Sequence, residues 1–228
     1  MNMSVLKAVV FDLDDTLYPE RDYVFSGFRA VAAWAEAHLG IPADGGFEEL
    51  KSLFTDGVRG NTFDQWLGAH GFQPESYAQQ LVRIYRDHDP VLKLFPEVFK
   101  VLVCLQKHYR LGIVSDGYYE VQRRKFLALG INDLFQAVVF SDEFGRNAWK
   151  PSVIPFEVVL RKLGVEPVTA VYVADNPLKD FFGARKIGMS TVQVRRQKGE
   201  YFNRQPQSQE YAPHHIVSSL AELERLFE

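Results

Sequence analysis

Ala8-Val9-Val10-Phe11-Asp12-Leu13-Asp14-Asp15-Thr16 is the stretch on which the reading of this chain turns. Its first four residues are aliphatic or aromatic with no polar alternation, as a strand covered on both faces requires. The run then ends abruptly in carboxylates. In an extended segment, side chains two apart point the same way with Cα atoms ~6.6 Å apart, so Asp12 and Asp14 present two carboxylates to one small volume at the strand's C-terminal end. Such crowding is costly without a cation, and a hard divalent ion with oxygen ligands resolves it. On these residues alone, an acidic loop or a helix cap after a strand is the competing reading.

Similar apolar runs recur at Leu111 to Val114, Ala137 to Phe140, Ala170 to Val173 and Thr191 to Val194. Helical patterns lie between them: Glu97 to His108, Tyr119 to Leu129, Val153 to Leu163 and Leu178 to Ile187, the last three each followed by glycine (Gly130, Gly164, Gly188). Glycine just beyond the last apolar helical residue is the expected C-terminal stop. Strand alternating with helix predicts an α/β fold with a doubly wound parallel sheet of Rossmann type. A last short strand at His215 to Val217 and a helix from Leu220 to Phe227 follow a polar stretch, Arg196 to Pro213, read as a surface loop.

Between the first and second strands lies far more chain than the ~10–12 residues a crossover needs, so an inserted domain is expected. Its sequence is helical: Phe25 to Leu39, Phe47 to Phe54, Phe63 to His70 and Ser76 to His88, with Trp34, Leu50, Phe54, Trp66, Leu81 and Tyr85 as its core. The expected division is an α-helical cap over residues 18–90 and a discontinuous α/β core over residues 1–17 and 91–228.

Composition narrows the partners. With 228 residues, 46% hydrophobic and 24% charged, the chain reads as an ordinary globular protein, and its net charge of -3 gives no general attraction to nucleic acid or to an anionic membrane. The run from Val5 to Phe11, broken by Lys7 and followed by acids, does not fit a secretory signal, and nothing approaches the ~20 apolar residues of a membrane span. A single cysteine, Cys104, excludes an intrachain disulfide and sits in an apolar run that reads as buried. The cytoplasm is the expected compartment. Oligomeric state is not legible, and the Arg123-Arg124-Lys125 and Arg195-Arg196-Gln197-Lys198 runs read as solvated faces.

Three further segments sit beside strand ends. Ser115-Asp116-Gly117 offers a hydroxyl and backbone N–H groups ahead of a helix, an anion site or equally a turn. Lys150 opens the segment after the third strand, and Asp175 with Asp180 follows the fourth. Each alone reads as a turn, a surface charge or a helix cap. Their joint occurrence, in order at one sheet edge, is what carries information.

Taken together, Asp12-Leu13-Asp14-Asp15-Thr16 (DxDxT), Ser115, Lys150 and Asp175 with Asp180 (DxxxxD) resemble the four motifs of the haloacid dehalogenase-like hydrolase superfamily. The resemblance covers essentially the whole chain, and the helical insert between the first and second motifs resembles that superfamily's type 1 cap. Ala174 departs from the glycine usual before the fourth-motif aspartate.

What the resemblance implies is a magnesium-dependent phosphatase. Asp12 would be the nucleophile on phosphorus, and Asp14 the acid for the leaving alcohol and then the base for water. Mg2+ would lie between the Asp12 carboxylate, the Asp14 backbone carbonyl and Asp175. Lys150, the Ser115 hydroxyl and the backbone N–H groups around Leu13 and Asp116 would hold phosphoryl oxygens, with Asp180 and Thr16 behind the contacting groups. Family dehalogenases need neither the second acid nor a metal, so Asp14 and Asp175 favour phosphoryl chemistry. A sugar phosphomutase shares all four motifs, and a non-catalytic binding protein would be expected to lack one. The expected partner is a small-molecule phosphate ester, selected by the cap. Arg59 and Asn61 in the loop Thr55 to Asn61 are the candidates for substrate contact, against a plain interhelix turn. Tyr18 and Tyr118-Tyr119 are candidates for an aromatic wall, against plain core positions.

Overall fold

The computed structural model describes residues 6–197 and 199–227. Val5 of the run weighed as a signal and Lys198 of the basic run and expected surface loop lie outside them. The elements in chain order are β1 (Ala8–Phe11), α1 (Glu20–Leu39), α2 (Ala43–Thr55), α3 (Thr62–Ala69), α4 (Pro74–Asp87), α5 (Val98–Leu105), β2 (Arg110–Ser115), α6 (Tyr119–Ala128), β3 (Ala137–Phe140), α7 (Ile154–Leu163), β4 (Ala170–Ala174), α8 (Asp180–Lys186), β5 (Ser190–Val194), β6 (His215–Val217) and α9 (Leu223–Phe227).

The six strands form one parallel sheet in the order β3-β2-β1-β4-β5-β6. β1 is central, with Phe11 in register with Ile113 of β2 on one side and Val173 of β4 on the other. That position explains its uninterrupted apolar sequence: all four residues are fully buried. The strand order reverses at β1, which makes the crevice beyond its C-terminal end the place where such sheets take ligands. One face of the sheet packs Val10, Val114 and Tyr172 against Phe156, Val159 and Leu160 of α7 and Phe181 of α8.

The chain divides into two compact units. One runs from Arg21 to Leu92; the other is the remainder, up to Glu20 and from Lys93 on. These junctions fall two to three residues beyond the 17/18 and 90/91 read from the sequence. Residues 18–20 stay with the sheet because the Leu17 carbonyl accepts from Phe95 N–H (3.0 Å) and the Tyr18 hydroxyl donates to Asp14. The insert unit is helical and has its own core of Phe28, Val31, Leu50, Trp66, Leu67 and Leu81, with Trp34, Phe54 and Tyr85 half-buried against it. Within it, Val91 N–H donates to Ser26 Oγ (3.0 Å), tying its last residues to its first helix.

Helix bounds shift, α2 beginning at Ala43 rather than Phe47 and α5 ending at Leu105 rather than His108, and three further local expectations change. α1 begins at Glu20, five residues before Phe25, because Asp15 accepts from the Glu20 N–H (2.9 Å) and holds that first turn. Between β3 and Lys150 the chain makes two 3₁₀ turns, Ser141–Phe144 and Arg146–Ala148, where periodicity gave no element. Cys104 is half-buried rather than core, since α5 buries Val98, Val101, Leu102 and Leu105 and leaves position 104 on its flank. Among the described residues, no helix is long and apolar enough to cross a membrane.

Candidate active site

The site is built on strand ends. Asp12 N–H donates to the Val173 carbonyl (2.9 Å), so the sheet ladder still holds the residue that carries the first carboxylate. Beyond it the chain turns through Asp15, whose φ of 52° is left-handed, a conformation aspartate tolerates better than most residues. The Asp15 carboxylate fixes that turn by accepting from the backbone N–H groups of Glu20 (2.9 Å) and Glu200 (3.2 Å).

Lys150 reaches the same place from the loop after β3. Its Nζ lies 2.6 Å from Asp12 Oδ1, 2.8 Å from Asp180 Oδ1 and 2.9 Å from the Tyr172 hydroxyl, and its side chain is 1% exposed. Burial would lower the lysine pKa, but Asp12 and Asp180 outweigh it and hold the ammonium charged well above its usual range. Lys150 is therefore a fixed cation against the nucleophile candidate. Asp180 also accepts from Asn176 N–H (2.9 Å) at the start of the fourth-motif turn.

Asp12, Asp175 and Asp180 are all buried and offer oxygens within 4.8 Å of one another. Asp175 Oδ2 is buried without a hydrogen-bond partner. Burial, with Asp180, Asp12 and Asp15 adding like charge, pushes the Asp175 carboxyl well above the usual range. Burial likewise raises Asp12 to about 7, against the opposing pull of Lys150. One lysine among three carboxylates leaves an excess of buried negative charge facing an orphaned oxygen. An all-oxygen set of this kind fits a hard divalent cation.

Asp14 does not join that cluster, although its charge is felt by Asp12. Its Oδ1 accepts from the Tyr18 hydroxyl and from Lys125 Nζ (2.8 Å), and its Oδ2 from Gln122 Nε2 (2.7 Å). Burial alone would raise its pKa, but the Lys125 charge and these three donors hold the carboxyl below the ordinary range. Gln122 also donates to Ser115 Oγ (2.7 Å), which links the end of β2 to the end of β1. Gly117 permits this approach: its φ is +138°, and a Cβ there would stand 2.8 Å from Gln122 Cδ.

Asp116, a half-buried residue whose side chain is almost fully covered, accepts from the Lys150 N–H (3.1 Å) and from Lys179 Nζ (2.8 Å). Burial would raise it, but Lys150 and Lys179 hold it lower than usual. Thr16 is fully buried, its Oγ1 without a partner and its carbonyl accepting from Arg196 Nη2 (3.0 Å).

Not every expected residue takes the place expected of it. Tyr18 is fully buried as a donor to Asp14, not part of an aromatic wall. Tyr118 and Tyr119 are exposed, at 44% and 37%. In the insert unit, Arg59 donates to the Phe54 (2.6 Å) and Val58 (3.0 Å) carbonyls and lies 3.7 Å over the Phe54 ring, while Asn61 accepts from Gln65. Gln122, Lys125, Tyr172, Lys179, Arg196 and Glu200 were not anticipated. Lys125 stands in a basic run expected to be solvated, yet it is 4% exposed. The one usable signal is the i, i+3 spacing of Gln122 and Lys125 on the helix that follows Ser115-Asp116-Gly117.

Comparison with known proteins adds a family. Residues 9–194 match the family model described as haloacid dehalogenase-like hydrolase. The chain is 35% identical over 229 residues, 96% of each chain, to a glyceraldehyde 3-phosphate phosphatase of Methanopyrus kandleri. It is 29% identical over 202 residues to a phosphoserine phosphatase of Thermus thermophilus, covering 88% of this chain and 70% of that one. A solved HAD phosphatase from Thermococcus onnurineus is 26% identical, with 97% of both chains covered and a TM-score of 0.61.

Proposed function

This chain belongs to the haloacid dehalogenase-like hydrolases, and from that premise we propose that it is a magnesium-dependent phosphatase acting on a small phosphate monoester through an aspartyl-phosphate. The observation that carries the reading is the buried Asp12 carboxylate at 2.6 Å from the Lys150 ammonium, with the unpartnered oxygen of Asp175 in the same carboxylate cluster. A carboxylate kept beside a fixed cation has its charge balanced while it awaits an anionic substrate.

Asp12 attacks phosphorus as the ester P–O bond breaks, and Asp14 delivers a proton to the departing alcohol oxygen. Ionised in the resting site, Asp14 takes up that proton as the phosphate dianion arrives, since a neighbouring like charge raises its affinity for one. Water then attacks the phosphorus of the acyl phosphate, gives its proton to Asp14, and the bond to Asp12 breaks to release phosphate and restore the carboxylate. Lys150, Ser115 Oγ and the backbone N–H groups around Leu13 and Asp116 hold phosphoryl oxygens through both steps. The Asp12 carboxylate, the Asp14 backbone carbonyl and Asp175 would hold magnesium, which would supply positive charge to offset the repulsion between nucleophile and dianion. Asp180 orients Lys150.

Two relatives named for glyceraldehyde 3-phosphate and phosphoserine, both three-carbon monophosphates, support a substrate of that size. The decisive measurement is inorganic phosphate release from a panel of monoesters, with magnesium and with chelator, for the wild type and Asp12→Asn. Turnover with magnesium that is lost in chelator and in Asp12→Asn is expected. Hydrolysis that survives Asp12→Asn refutes the nucleophile, and isomerisation of a hexose 1-phosphate faster than its hydrolysis would transfer the reading to a mutase.

A further inference from the structure

Among the described residues, Lys125 is a buried lysine that the chemistry above does not use. It lies on α6, one helical turn beyond Gln122, so the two side chains share a face. Both are almost completely buried, at 4% and 1% exposure, and both end on Asp14: Nζ on Oδ1 at 2.8 Å, Nε2 on Oδ2 at 2.7 Å. Burying a lysine and a glutamine side by side is costly unless each donor is met, and here Asp14 meets both. Gln122 uses its second amide hydrogen on Ser115 Oγ (2.7 Å), so one amide spans the proton-transfer group and the phosphate-binding hydroxyl. Gly117 is the residue that lets the amide lie there.

A carboxylate on a two-torsion side chain is otherwise free to rotate. With one oxygen gripped by an ammonium and the other by an amide, its plane and direction are set by α6. We propose that Gln122 and Lys125 are positioning residues that aim the Asp14 carboxyl at the leaving-group oxygen. This rests on the reading of Asp14 as the acid for the departing alcohol. Tyr18, whose hydroxyl donates to the same Oδ1, completes the grip. The pair acts through Asp14 and does not itself meet the substrate.

The consequence is selective. A misdirected acid matters when the leaving group is a poor alkoxide and little when it departs without a proton. Lys125→Met, Lys125→Arg, Gln122→Leu and Asp14→Asn are compared with wild type on glycerol 3-phosphate and on p-nitrophenyl phosphate, with magnesium, measuring kcat and KM separately; thermal melting establishes that each is folded. The readout is kcat/KM, which covers the steps up to formation of the aspartyl-phosphate and so omits the later step in which Asp14 acts as base; for Lys125→Met and Gln122→Leu it is expected to fall about 10- to 100-fold on the alkyl ester. On the nitrophenyl ester kcat/KM of Lys125→Met, which leaves the Gln122–Ser115 bond in place, should change less than about threefold, that of Gln122→Leu should fall less than on the alkyl ester, and Lys125→Arg should recover most of the loss. Equal losses on both esters in the folded Lys125 and Gln122 variants, with Asp14→Asn discriminating as expected, overturn the positioning role while leaving Asp14 as the acid. Equal losses in Asp14→Asn as well overturn the acid and this inference together. If Lys125→Met does not fold, Lys125→Arg and Gln122→Leu decide by the same ratio.

Discussion

Replacing Asp175 by asparagine tests the charge balance of the site without reference to turnover. Asp12, Asp175 and Asp180 crowd one buried volume with Lys150 as the cation bonded to two of them, and Asp175 Oδ2 faces no donor. An acid whose pKa is raised by folding binds its proton more tightly in the folded chain, so its contribution is complete below the unfolded pKa and lost as pH rises through the folded value. For Asp12 that window runs from 3.8 to about 7, corresponding to about 4 kcal/mol. Asp175, raised in the same direction, adds to it. In chelator the melting temperature should therefore fall between pH 4 and pH 7. Magnesium at about 100 times its Kd should return about 2.7 kcal/mol, or about 5–11 °C for a chain of this length. Asp175→Asn removes one of the uncompensated charges. It should melt higher than wild type in chelator near pH 8, converge with it near pH 4, and lose most of the magnesium shift. Differential scanning calorimetry at both pH values reads all three effects. A variant that melts lower than wild type in chelator at pH 8, or keeps the full magnesium shift, refutes the reasoning.

Lys150→Met should act in the opposite sense, stranding Asp12 and Asp180; removing one partner of a buried pair costs about 3–5 kcal/mol, and chemical denaturation should show the midpoint falling with no recovery of activity. Gly183→Ala probes how α8 holds the lysine's loop. A Cβ there would lie 2.6 Å from the carbonyl oxygens of Pro151 and Ser152, so a loss of about 1–3 kcal/mol and a reduced kcat are expected by melting and by phosphate release. Unchanged stability and kcat would mean that α8 does not fix that loop.

Much of the architecture was legible because it depends on local pattern. Unbroken apolar runs at Ala8 to Phe11 and Ala170 to Val173 mark strands covered on both faces, and glycine after Leu129 and Leu163 marks helix ends; the structure places these elements within a residue or two. The charged residues at the strand ends were legible for a related reason: Asp12, Ser115, Lys150 and Asp175 are each unexpected beside a buried strand, and parallel strands bring all four to one edge. Lys125 was misread because a basic run looks solvated until the helix phase and its acidic partner are both known. The ties of the surface loop after β5 to the site have no sequence signal because the loop has no periodicity: the Arg196 guanidinium donates to the Thr16 carbonyl and the Glu200 backbone N–H to the Asp15 carboxylate.

The sequence by itself determined which residues could do chemistry and which edge of the sheet would carry them. Hydrophobic period and glycine placement are properties of neighbouring residues, and the chain direction of a parallel sheet follows from them. Only the tertiary structure decided how the charges pair. Asp12 and Asp14, two residues apart, are claimed by different lysines, Lys150 from 138 residues away and Lys125 from 111 residues away. Ion pairing in a buried site depends on distances of a few ångströms and on the absence of water, and both are set by packing between segments remote in the chain.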